Sequence, residues 1–130
     1  MIRVLLVDDE AAVRRGLCMQ LALEPDLQVI GEAGDGWGAI ELAKRLHPDV
    51  VVMDIRMRGL DGLSTVARLS ELEPELPVVM LTLQDDCKTR AAAEAAGCRG
   101  FVGKHESFET LLATIRAVVS PEPPAGSSAA

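Results

Sequence analysis

"LLVDDE", residues 5–10, carries an apolar run straight into three consecutive carboxylates. An apolar run without polar alternation reads as a strand covered on both faces. The acids at its carboxyl end repel one another and need compensation, from a cation or from a helix N-terminus. The pattern returns at "VVVMD", residues 50–54, where four apolar residues close on Asp54.

Further runs alternate with helical spacing. Strands are expected at 2–7, 27–33, 50–53, 77–82 and, less apolar, 99–103. The first helix carries Val13, Leu17 and Leu21 and is closed by Pro25. The second carries Trp37, Ile40, Ala43 and Leu46 and stops at His47 and Pro48. Asp61 caps a third with Leu63, Val66, Leu69 and Leu72. Asp85 or Asp86 caps an Ala-rich fourth that Gly97 ends. Ser107 caps the last, with Phe108, Leu111, Leu112, Ile115 and Val119. This is a (βα)5 pattern, which builds a doubly wound parallel sheet with helices on both faces. One domain is expected over residues 1–119. The tail "SPEPPAGSSAA", residues 120–130, has the composition of a flexible linker.

Five βα units commonly take the strand order 2-1-3-4-5, and ligands bind beyond the carboxyl ends of such strands at the switch point. Strands 1 and 3 are then neighbours, about 4.8 Å apart. The residues at the strand ends are Asp8 and Asp9, Asp54, Thr82 and Lys104. Three carboxylates form a hard, all-oxygen site suited to Mg²⁺ or Mn²⁺ rather than zinc. A lysine and a hydroxyl beside them can hold phosphoryl oxygens, and one aspartate can serve as nucleophile for an aspartyl-phosphate. Taken singly, Asp9 reads as a helix cap, Asp54 as a solvated acid, Thr82 as a strand-end hydroxyl and Lys104 as a solvated lysine. Their coincidence at adjacent strand ends favours one site. Trp37 reads as partial core or helix-cap packing.

Composition excludes several rivals. The 130 residues suit one domain, and 48% hydrophobic content supplies a core. A net charge of −7 repels a phosphate backbone, and 2% aromatics without Tyr remove base-stacking platforms, so direct nucleic-acid binding is not expected. Cys18, Cys87 and Cys98 are odd in number and lack a C-x-x-C spacing, which fits a reducing cytoplasm. No stretch has the length of a membrane span.

The motifs "LLVDDE" (5–10), "VVVMDIRMRGLDG" (50–62), "VVMLTLQDD" (78–86) and "GFVGK" (100–104) resemble the receiver domain of two-component response regulators, over residues 2 to about 119. The resemblance implies a flavodoxin-like fold and phosphoryl transfer from a sensor histidine kinase to Asp54. It implies Mg²⁺ on Asp9 and Asp54, with Asp8 acting mostly through water and Arg56 offering its backbone carbonyl. Lys104 pairs with phosphoryl oxygens, Thr82 moves in to bind them, and Phe101 swings with it. "MDIRM" and "LTLQDD" resemble the subfamily whose outputs are LuxR-type helix-turn-helix domains. That subfamily implies a homodimer through the first and last helices, and DNA contact only through an output domain outside this chain. The domain would catalyse its own phosphorylation and dephosphorylation but no turnover of a released substrate.

Four positions depart from the family pattern. Arg58 replaces a proline, which implies a looser loop. Leu83 is bulkier than the usual Ala or Ser and would narrow access to Asp54. Phe101 replaces Tyr and lacks its hydroxyl. His105 replaces proline; a cis bond to it would cost about 2.5–4 kcal/mol, so a trans bond is expected. These departures sustain one alternative, a degenerate receiver that binds partners without phosphorylation. A flavin-binding protein of the same fold would need a phosphate loop where "DDE" stands, and an aspartyl-phosphate phosphatase would need D-x-D in the first strand.

Overall fold

The structure is a computed structural model that describes residues 1–57, 59–83 and 86–119. Strands and helices alternate: β1 (Ile2–Val7), α1 (Ala11–Ala22), β2 (Leu27–Ala33), α2 (Gly36–Leu46), β3 (Val50–Asp54), α3 (Gly62–Leu72), β4 (Val78–Thr82), α4 (Cys87–Ala96), β5 (Gly100–Gly103) and α5 (Phe108–Val119). The five strands are parallel in the order β2-β1-β3-β4-β5, as expected from the strand pattern.

Side chains alternate across each strand, and this sorts the core into two layers. Leu5, Val7, Val51, Met53 and Met80 pack beneath α2, α3 and α4, through Ile40, Ala43, Val66, Leu69 and Ala93. Val4, Leu6, Val50, Val52, Val79, Leu81 and Val102 pack beneath α1 and α5, through Leu21, Leu111, Leu112 and Ile115. Residues 4–7 and 50–53 are buried on both faces, which explains their unbroken apolar character.

Helix ends follow local chemistry. The carboxylates of Asp61 and Asp86 accept from Ser64 N (2.8 Å) and Thr89 N (2.7 Å), and Ser107 Oγ accepts from Thr110 N (3.2 Å). The Thr89 N–H holds the Asp86 carboxyl below its ordinary pKa. Asp86 is thus the cap of α4; Asp85 lies outside the described residues, as do Arg58 and the tail 120–130. Gly97, at φ 115°, ends α4 in the left-handed region that glycine tolerates. The Lys104–His105 bond is trans. Cys98 is buried, and burial pushes its thiol pKa up to about 11.

Strand β3 runs one residue further than expected. Asp54 stays in the ladder opposite Leu81 and is only 8% exposed, because its carboxylate finds polar partners there. Trp37 differs from expectation too. It is 55% exposed, and the Arg68 guanidinium lies 4.9 Å from its ring centroid. Among the described residues, no helix is long and apolar enough to cross a membrane.

Candidate metal and phosphoryl site

The ends of β1 and β3 bring three acids together. One carboxylate oxygen from each of Asp8, Asp9 and Asp54 lies within 4.8 Å of the others. Asp8 is 2% exposed, whereas Asp9 faces solvent. Asp9 is not the cap of α1: Glu10 holds that position, without a side-chain cap bond.

Each buried acid is oriented by a local N–H. Asp8 Oδ1 accepts from Glu10 N at 2.9 Å, and Asp54 Oδ1 accepts from Arg56 N at 3.1 Å. Their other oxygens meet Lys104, whose Nζ lies 2.9 Å from Asp54 Oδ2 and 3.4 Å from Asp8 Oδ2. Burial alone would lower the pKa of the Lys104 ammonium. The hydrogen bond and charge of Asp54, joined by those of Asp8, outweigh burial and hold the value above that of an ordinary lysine.

Backbone pairing places the lysine. Thr82 pairs with Gly103 in the ladder, and Lys104 N donates to Thr82 O at 2.7 Å. Glu106 Oε2 accepts from Gly103 N at 2.6 Å and pins the turn after β5. Thr82 is buried beside this turn, and Leu83, next in the chain, is 76% exposed. Phe101 is half-buried on β5, on the sheet face that packs against α4. The Arg90 guanidinium of α4 lies 4.6 Å from its ring centroid. The structure thus gathers Asp8, Asp9, Asp54 and Lys104 at one point, ties Thr82 to Lys104 through the backbone, and sets Phe101 apart, next to α4.

Two contributors escaped the sequence reading. Arg14 Nη1 donates to the backbone carbonyl of Asp8 at 2.5 Å, and its Nε donates to Glu32 at 3.1 Å. Trp37 lines a hollow of about 490 Å³ with Asp9, Glu10, Gly34, Asp35 and Gly59. The sequence signal for Arg14 is a basic side chain one turn inside the helix that follows the acids.

Acids and a lysine meet at the switch point of an open parallel sheet, where α/β domains of this topology bind ligands. Residues 4–116 match the family described as the response regulator receiver domain, and the chain belongs to that family, the receivers of two-component systems. It is 39% identical over 115 residues to the nitrate/nitrite response regulator protein NarP of Escherichia coli, covering 88% of this chain and 54% of NarP. It is 40% identical over 124 residues to the transcriptional regulatory protein LiaR of Bacillus subtilis, covering 95% and 58%. The signal receiver domain of the putative response regulator NarL from Mycobacterium tuberculosis superposes with a TM-score of 0.81 at 31% identity, covering 89% of this chain and 97% of that domain. These likenesses place the receiver with those of the LuxR-type subfamily. The chain spans a little over half the length of these curated relatives.

Proposed function

We propose that this receiver takes a phosphoryl group on Asp54 from a sensor histidine kinase and so switches a protein-binding face. The observation that carries the reading is the meeting of Asp54 with Lys104 at 2.9 Å inside a cluster of three carboxylates. The donor set fits a hard divalent cation. Asp9 and Asp54 would hold Mg²⁺ (or Mn²⁺) directly, Asp8 mostly through water, with the Arg56 backbone carbonyl. The cation, when bound, supplies charge stabilisation for a transferring phosphoryl group.

The chain's own residues do the rest. An Asp54 carboxylate oxygen attacks phosphorus as the phosphorus–nitrogen bond of the donor phosphohistidine breaks, and the imidazole leaves with that electron pair and takes up a proton. Lys104 shifts from the Asp54 carboxylate onto the new phosphoryl oxygens, and the Thr82 hydroxyl donates to another. Little more than position and charge is needed for this transfer. The domain therefore promotes only its own phosphorylation and dephosphorylation.

Thr82 moves in, Phe101 follows, and the α4–β5 face changes. A LuxR-type output domain beyond this chain would carry DNA contact in the cytoplasm. Homodimerisation is proposed through α1 and α5; Met19 of α1 and Leu23, which caps its C-terminus, are 68% and 80% exposed. Incubation with Mg²⁺ and acetyl phosphate tests the reading by intact mass. A gain of one phosphoryl group is expected. A chain that gains none is the degenerate receiver instead.

A further inference from the structure

We propose that Arg14 is a positioning residue for the acid cluster: it holds the Asp8–Asp9 peptide so that both carboxylates serve one divalent cation. The inference rests on reading Asp8, Asp9 and Asp54 as the metal site.

Asp8 is fixed at every polar group. Its N–H donates to Ala33 O at 3.1 Å, and Oδ1 and Oδ2 meet Glu10 N and Lys104 Nζ. Its carbonyl oxygen accepts from Arg14 Nη1 at 2.5 Å. That carbonyl is one side of a planar peptide whose other side is the Asp9 N–H. Fixing the carbonyl direction therefore fixes where the Asp9 side chain starts. Asp9 needs this help: it is exposed, and no hydrogen bond among the described residues orients its carboxylate. The next residue supplies none either, since Glu10 caps α1 without a side-chain bond. Arg14 reaches back from inside α1 to do so.

Its charge is already spoken for. Arg14 Nε donates to Glu32 Oε1 on β2 at 3.1 Å, so the guanidinium and the carboxylate cancel locally. A planar fork addresses a carbonyl and a carboxylate from separate nitrogens in fixed directions; an ammonium offers one nitrogen whose donors rotate. The pair thus ties the β1–α1 loop to β2 by geometry and adds little net field at the acids.

Charge and geometry predict opposite results. A bare positive charge beside the acids repels a cation, so its removal would tighten Mg²⁺ binding. Loss of a positioning group weakens it. The test is calorimetric Mg²⁺ titration of the wild-type chain, Arg14→Gln and Arg14→Lys, with hydrogen exchange at the Glu10 amide measured without metal. Arg14→Lys keeps the charge and the aliphatic stem, which guards against loss of the fold. Both variants should bind Mg²⁺ about tenfold more weakly, as loss of outer-sphere support commonly does. In both, the Glu10 amide should exchange faster. Wild-type or tighter binding in Arg14→Gln, or full rescue by Arg14→Lys, overturns the proposal alone. A wild-type chain that does not bind Mg²⁺ overturns the metal-site reading and this proposal with it.

Discussion

Lys104 Nζ sits 2.9 Å from Asp54 Oδ2, so the proposed nucleophile is ion-paired before any phosphoryl group arrives. The same ammonium reaches Asp8 at 3.4 Å. Part of the compensation that "LLVDDE" demands therefore comes from the far end of the chain, and a bound cation would supply the remainder.

Truncating this lysine should expose the repulsion. Asp8 and Asp54 are buried, and Lys104 is mostly so. Removing one partner of such a pair costs about 3–5 kcal/mol. Lys104→Met should melt lower than wild type, and saturating Mg²⁺ should raise its melting temperature more than the wild type's. Equal stabilisation of both by Mg²⁺ would contradict this.

The same pair fixes a pH window. Lys104 has a raised folded-state pKa, so its contribution is complete below the ordinary lysine value of 10.5 and is lost as pH rises through the raised value. The melting difference between wild type and Lys104→Met should stay constant from about pH 6 to 9 and narrow in strong alkali. A gap that widens above that range would be the wrong sign.

Asp9 separates metal binding from folding. It is exposed and caps no helix, so Asp9→Ala should change stability by less than about 0.5 kcal/mol. Mg²⁺ affinity by calorimetry should fall markedly. Trp37 shares a hollow with Asp9, so its fluorescence offers a second readout in the wild type. Unchanged Mg²⁺ affinity in Asp9→Ala would remove Asp9 from the site.

Helix α4 should be the moving part. Ala93 is its one buried residue, whereas α5 buries Leu111, Leu112 and Ile115. At about 25 cal/mol per Å² of apolar surface, small side chains anchor α4 weakly, while its alanines keep it helical if it shifts. The Arg90 stack on Phe101 links it to β5. Hydrogen exchange in the free chain should be fastest in α4 among the helices and should change there first with beryllofluoride. Protection equal to that of the other helices, unaltered on activation, would contradict this account of the switch.

The dimer proposal is tested by sedimentation with and without beryllofluoride. The sequence shows more apolar positions on the last helix than one stripe needs. The structure assigns most of them to the core layer beneath α1 and α5, with Phe108, Val118 and Val119 partly buried. A monomer under both conditions would remove the α1–α5 interface.

Much of this was legible in the sequence because it is local. Strand periods, the caps at Asp61 and Ser107, a cap at Asp85 or Asp86, and the stop at Gly97 each depend on neighbouring residues. The acid cluster was legible because strand order sets the ends of β1 and β3 side by side. Long side chains were not, because their reach depends on how elements pack. Arg14 bonds Asp8 and Glu32, and Arg116 bonds Asp26, across elements whose relative placement only the fold determines. Asp54 stayed in its strand, where an acid is ordinarily costly, because Lys104 arrives from fifty residues away. Trp37 was misjudged because helical spacing shows a face and not whether a neighbour covers it.

The most direct test of the central claim is intact-mass analysis of Asp54→Asn after incubation with Mg²⁺ and acetyl phosphate. The substitution keeps the shape of the side chain and removes the nucleophilic carboxylate. The account predicts one added phosphoryl group on the wild-type chain and none on the variant. A variant that still gains one phosphoryl group would place the phosphoacceptor elsewhere.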